Sequence, residues 1–130
     1  MAKTSLVEPD IDGGAKLVEA LDEAGLRVEA AFWFLIPELS AWRLFIASPI
    51  VASQGRRAAY ESVQNVLGRL TSAGIEAPTL DEISAVSPDN EIVRLLSSAV
   101  STGPGISTIR FTSNTVNGVF IEDAVIYRLT

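Results

Sequence analysis

The sequence predicts an α+β fold: a mainly antiparallel sheet of about five strands with three helices, in the order α-β-β-α-β-α-β-β. Three observations lead there. Two strand-like apolar stretches, 27–36 and 42–48, flank PELSA (37–41), a plausible hairpin loop. A second strand pair, about 106–112 and 118–128, is joined through Asn117-Gly118, the dipeptide that tight hairpin turns favour. The remaining long segments carry apolar residues at helical spacing. Sequential hairpins mixed with helices favour a mainly antiparallel sheet with helices packed on it. With 130 residues the chain is expected to be one domain, residues 1–9 forming a loose N-terminal segment.

Each element has its own signal. Asp12 can cap a first helix that carries Leu17, Val18, Leu21 and Ala24 on one face, with Gly25 at its C-cap. From Arg27 the pattern becomes that of a strand. Phe32, Phe34 and Ile36 alternate with Ala31, Trp33 and Leu35, so both faces are apolar. WRLFIAS (42–48) follows and Pro49 ends it. The strongest helix runs from Ser53 to Ala73, with Ala59, Tyr60, Val63, Val66, Leu67 and Leu70 as its stripe and Gly74 after the last turn. ISAVS (83–87) reads as a short strand. Ser87-Pro88 then marks a helix start, with Ile92, Leu95, Leu96, Ala99 and Val100 inward and Gly103 closing it.

Composition narrows the chemistry. The chain is 48% hydrophobic and 20% charged, richer in apolar residues than an ordinary soluble domain. A small domain of this kind covers both sheet faces or hides surface against a partner, and a homo-oligomer is expected. The net charge of −6, with basic residues scattered apart from Arg56-Arg57, disfavours nucleic acid and anionic membranes as partners. No apolar run reaches bilayer length, so a cytoplasmic location is the expectation. Cysteine and histidine are both absent. That removes disulfides, thiolate sites and every triad built on imidazole.

Four patterns could still carry chemistry. Glu8, Asp10, Asp12, Gly13 and Glu19 match positions of an EF-hand loop. Position 1 is Glu, however, Ala15 stands where a branched apolar residue belongs, and too few residues precede for an entering helix. The preferred reading is a helix N-terminus with capping carboxylates, and no metal or other cofactor is expected. Serine nucleophiles lack a base: Lys3 and Lys16 are the only lysines, and neither follows a serine at S-x-x-K spacing. STGPGIS (101–107) leads from a helix into a strand, the reverse of a phosphate-cradling loop, and lacks Gly-Lys-Ser/Thr. Gly103 reads instead as a left-handed cap and Gly105 as a turn.

The carboxylates Glu122 and Asp123 sit mid-strand, on opposite faces. Asp123 shares parity with Val119, Ile121, Val125 and Tyr127, so it needs a cation, and Arg110 on the neighbouring strand is the natural one. A cross-strand ion pair is the preferred reading over a catalytic acid. Arg43 lies between Trp42 and Leu44, with Trp33 on the facing strand, and Trp and Arg are enriched at interface centres. The expected function is thus a non-catalytic interaction or regulatory domain, a homodimer or larger homo-oligomer using an apolar sheet face. The alternative is a protein, binding or enzymatic, that takes a small anionic ligand in a pocket of Arg43, Tyr60, Arg110 and Asp123.

Overall fold

A computed structural model describes residues 3–130. It is an α+β domain built on one five-stranded sheet. In chain order the elements are α1 (Glu8–Glu23), β1 (Ala30–Ile36), β2 (Ala41–Ala47), α2 (Ile50–Gln54), α3 (Arg56–Ser72), a 3-10 turn (Leu80–Glu82), β3 (Ile83–Val86), α4 (Glu91–Ser97), β4 (Ile109–Val116) and β5 (Val119–Leu129). The strands lie in the order β3-β2-β1-β5-β4. The sheet is mixed rather than mainly antiparallel, because β3 runs parallel to β2. The connection through α2 and α3 is long enough to return the chain in the same direction, which a hairpin cannot do. Both expected hairpins form, β1–β2 and β4–β5.

Among the described residues there are four α-helices rather than three. Gly55, at φ 90°, breaks the expected 53–73 helix into α2 and α3. The first and last predicted helices also start elsewhere. α1 begins at Glu8, with Pro9 in its first turn and Asp10, not Asp12, accepting the Val7 N–H at 2.9 Å. α4 is capped by Asn90, whose side chain accepts from Ile92 N–H at 2.9 Å, so Ser87-Pro88 lies outside it. It ends at Ser97, well before Gly103, and neither Gly103 nor Gly105 is left-handed.

The glycines after α1 and α3 do close those helices. Gly25 and Gly74 have φ of 86° and 74°. In each case two backbone bonds complete the cap: Leu26 N–H to Leu21 C=O and Gly25 N–H to Asp22 C=O, then Ile75 N–H to Leu70 C=O and Gly74 N–H to Thr71 C=O.

The two apolar faces of the sheet bury into two separate clusters. On the first, Leu17, Val18 and Leu21 of α1 and Val63, Val66 and Leu70 of α3 pack on Trp33, Trp42, Leu44 and Ile46. On the second, Phe32, Phe34 and Phe45 meet Val93 and Leu96 of α4. The pairing register shifts between Ala31 and Phe32, where Ala31 faces Arg128 and Phe32 faces Ile126. Tyr127 is the extra residue of this bulge. The interruption lets β5 supply Val125 and Tyr127 to the first cluster and Ala124, Ile126 and Leu129 to the second. It also breaks the simple alternation expected of β5. A second interruption, Ser113 at φ 48°, sits where pairing skips from Thr112–Asp123 to Asn114–Ile121, and Ile121 joins the second cluster rather than siding with Val125.

Candidate functional site

The expected carboxylate partner is where the sequence placed it. Arg110 on β4 holds Asp123 on β5 in a bidentate pair, Nε to Oδ1 at 2.8 Å and Nη2 to Oδ2 at 2.6 Å. Such fork-shaped pairing fixes direction as well as charge. The bond to Asp123 raises the Arg110 pKa further, so the guanidinium stays charged. Its Cζ lies 5.9 Å from the centroid of the Trp42 ring, within cation–π range. Glu122 is exposed.

Arg43 and Tyr60 form a different arrangement, at β3. The Arg43 guanidinium donates to Ser84 Oγ at 2.7 Å, to Asp81 C=O at 2.9 Å and to Ile83 C=O at 2.9 Å. The Tyr60 hydroxyl accepts from Ala85 N–H at 3.1 Å and donates to Ile83 C=O at 3.4 Å. The four members of the expected anion pocket therefore serve two sites: Arg43 of β2 and Tyr60 of α3 bond to the edge strand β3, and Arg110 holds Asp123 on the C-terminal hairpin.

Trp33 and Trp42, expected at an interface, are core residues instead. α1, α3 and the N-terminal segment cover them. Trp33 Nε1 donates to the Tyr127 hydroxyl at 3.0 Å, which in turn donates to Ile11 C=O at 2.6 Å. Burial raises the Tyr127 pKa, so the phenol stays neutral and keeps its proton for Ile11. α1 can approach this pair only because residue 14 is glycine, since a Cβ there would sit 2.3 Å from Tyr127 Oη.

The segment expected to be loose is tied down from Lys3. The Lys3 C=O accepts from Trp42 N–H at 2.7 Å, and its ammonium reaches Asp10 and Glu82, each at 2.9 Å. That ammonium also lies 5.8 Å from the Trp33 ring centroid. Burial works against both charges, but the mutual bonds outweigh it, raising the Lys3 pKa and, with Val7 N–H, lowering that of Asp10.

The EF-hand-like residues Glu8, Asp10, Asp12, Gly13 and Glu19 all lie within the continuous helix α1, so they form no loop. Among the described residues no three His, Cys, Asp or Glu side chains group as a metal site would require. No described helix is long and apolar enough to cross a membrane.

Two features had no reading in the sequence. Arg128 is 5% exposed and fully engaged: its Nη atoms donate to Asp22 at 2.9 and 2.7 Å and to Val28 C=O at 3.1 Å, and Nε donates to Gly105 C=O at 3.3 Å. Nothing in the local pattern of β5 marks it, because Asp22 and Val28 lie about a hundred residues away in sequence.

The second is a groove of ≈ 830 Å³ on the second sheet face. Phe34, Ile36, Ile92, Leu95, Val119 and Phe120 give it its apolar lining, with Glu38, Glu91 and Arg94 also at its walls. The seven-residue α4 forms one wall of it through Ile92, Arg94 and Leu95. The β4–β5 tip bounds it from the far side, tied to α4 by Asn117 Nδ2 donating to Ser98 Oγ at 3.2 Å. Two-sided apolar strands were the available signal for this groove. No family model matches the chain, and no match emerges among curated proteins or solved structures.

Proposed function

We propose that the protein is a non-catalytic interaction module that works as a homo-oligomer through its second sheet face. One observation carries this reading: Phe120 and Val119, 57% and 48% exposed, line a groove together with Phe34, Ile36, Ile92 and Leu95. Contiguous apolar surface of this kind marks a docking site more often than a catalytic one. Phe120 is both a protruding side chain and part of the groove wall, which suits a self-complementary contact between two copies. The polar side chains that could have served chemistry are occupied in holding the fold, with Arg110 on Asp123 and Arg43 on the β3 backbone. The competing anion-binding reading is weakened for the same reason.

Sedimentation velocity of the full chain at low micromolar concentration tests the proposal. The expected result is a dimer or larger species that Phe120→Ser shifts toward monomer. A wild-type chain that stays monomeric, together with a melting temperature raised by phosphate or a carboxylate metabolite, would favour the ligand pocket instead.

A further inference from the structure

Asn117-Gly118, the dipeptide that turns β4 into β5, has a chemical use besides its conformational one. The turn needs positive φ at both residues, and they have 49° and 80°. An asparagine followed by glycine is also the pair in which the next backbone nitrogen most easily attacks the side-chain carbonyl, because no Cβ shields it. The chain's other asparagines, Asn65, Asn90 and Asn114, precede Val66, Glu91 and Thr115. At the turn both residues are exposed, and a Cβ on Gly118 would meet nothing within 4 Å. Among the described residues, Gly118 N–H has no backbone acceptor, so no such bond must break before it reacts.

The side chain that would react also holds a place in the fold. Asn117 Nδ2 donates to Ser98 Oγ at 3.2 Å, which ties the hairpin tip to the end of α4. The polarity of that bond is fixed. Ser98 gives its own proton to Leu95 C=O at 2.6 Å, so its oxygen is left as an acceptor. An amide can donate to it; a carboxylate cannot. A carboxylate would also face the carbonyl end of α4, where negative charge is disfavoured.

We propose that Asn117 is a self-modifying site, whose deamidation releases the hairpin tip from α4. The Gly118 nitrogen, after losing its proton to solvent base, bonds to Asn117 Cγ. The Cγ–Nδ2 bond breaks and Nδ2 leaves as ammonia. Water then opens the imide ring at either carbonyl, giving aspartate or, with the main chain rerouted through Cγ, isoaspartate. In sum, one amide and one water become one carboxylate and one ammonium, with nothing oxidised or reduced. The product has no proton for Ser98, so the tie is lost, and the groove gains a carboxylate beside Glu38 and Glu91. This inference does not rest on the homo-oligomer reading, because the bond it concerns lies within one chain.

The test begins with the wild-type protein, incubated for days at mildly alkaline pH and mapped by peptide mass spectrometry. The expected result is an acid at position 117, aspartate or isoaspartate, while Asn65, Asn90 and Asn114 keep their amides. Conversion at Asn117 no greater than at the other three overturns the site. Hydrogen exchange then reads the consequence. In Asn117→Asp, the backbone N–H groups of Val116 and Val119 should exchange about fivefold faster than in wild type, the factor that loss of one ordinary hydrogen bond gives. Ser98→Ala should do the same, and adding Asn117→Asp to it should change nothing more. Unchanged exchange in Asn117→Asp, or full additivity with Ser98→Ala, overturns the release of the tip.

Discussion

The two faces of the sheet are cut from the same strands but closed in different ways. β1 gives Ala31 and Trp33 to one face and Ala30, Phe32 and Phe34 to the other, all of them buried. The first face receives helices of 16 and 17 residues, a buried Trp–Tyr–carbonyl chain of hydrogen bonds and the Lys3 strap. The second receives a seven-residue helix and a mutual packing of phenylalanines, Phe32 stacked on Phe45 at 5.2 Å with Phe34 edge-on to both. Alternating apolar residues establish that two faces need cover; the length of the covering helix decides whether a face is finished or left open.

The strongest test of this contrast asks whether the open face is nonetheless core. Phe32 is fully buried at the centre of the phenylalanine group. Phe32→Ala is expected to cost about 4 kcal/mol in urea unfolding, on a par with Trp33→Ala on the closed face. A cost below about 1 kcal/mol would mean that the second face packs loosely, and the contrast would then be one of order rather than of cover.

Next in size is Gly14→Ala. The added Cβ would collide with Tyr127 Oη and come within 2.8 Å of Trp33 Nε1, forcing α1 off the sheet. About 2–3 kcal/mol is expected. Tyr127→Phe alone should cost about 1–2 kcal/mol by leaving Trp33 Nε1 and Ile11 C=O without their partner. If the oxygen is the obstacle, the double variant loses less than the sum of the two. Strict additivity would place the strain elsewhere.

These two positions also show how far the sequence reached. The hairpins, the two-sided strand and the Gly25 and Gly74 caps follow from local spacing and were legible. So was the Arg110–Asp123 pair, because a hairpin brings its arms together within a short stretch. Gly14 was not, since its role depends on a tyrosine more than a hundred residues later. The parallel pairing of β3 was hidden for the same reason: direction is set by the crossover and by Arg43 and Tyr60, not by ISAV itself. α4 stops at Ser97 while the apolar residues Ala99 and Val100 still follow, so the pattern overstated the helix.

A smaller effect tests the edge strand β3, beneath the first face. Tyr60→Phe removes the hydroxyl that bridges Ile83 C=O and Ala85 N–H. About 1 kcal/mol is expected, and hydrogen exchange at Ala85 N–H should accelerate. An unchanged exchange rate would show that β3 is protected without Tyr60.

The strap on the first face has a pH signature. Asp10 titrates lower in the folded protein than its ordinary 3.8, so its contribution is present above that value and is lost as pH falls through the lower, folded one. Lys3 titrates above its ordinary 10.5, so its contribution is complete below that value and is lost as pH rises beyond it. Lys3→Met should therefore flatten the stability profile at both extremes and leave its shape near neutrality unchanged. A profile identical to wild type below pH 4 would remove the Lys3–Asp10 bond from the account.

The smallest expected change is the most discriminating one. Phe120 is mostly exposed and faces the groove rather than either cluster, so Phe120→Ser should alter monomer stability by no more than about 0.5 kcal/mol. On the homo-oligomer reading proposed above, its exposed apolar surface serves contact with a second copy. The same substitution should weaken self-association, and the wild-type melting temperature should rise with protein concentration while that of the variant stays flat. If Phe120→Ser instead lowers stability at every concentration, the side chain closes the second face from within, and the open side of the comparison would be a finished one.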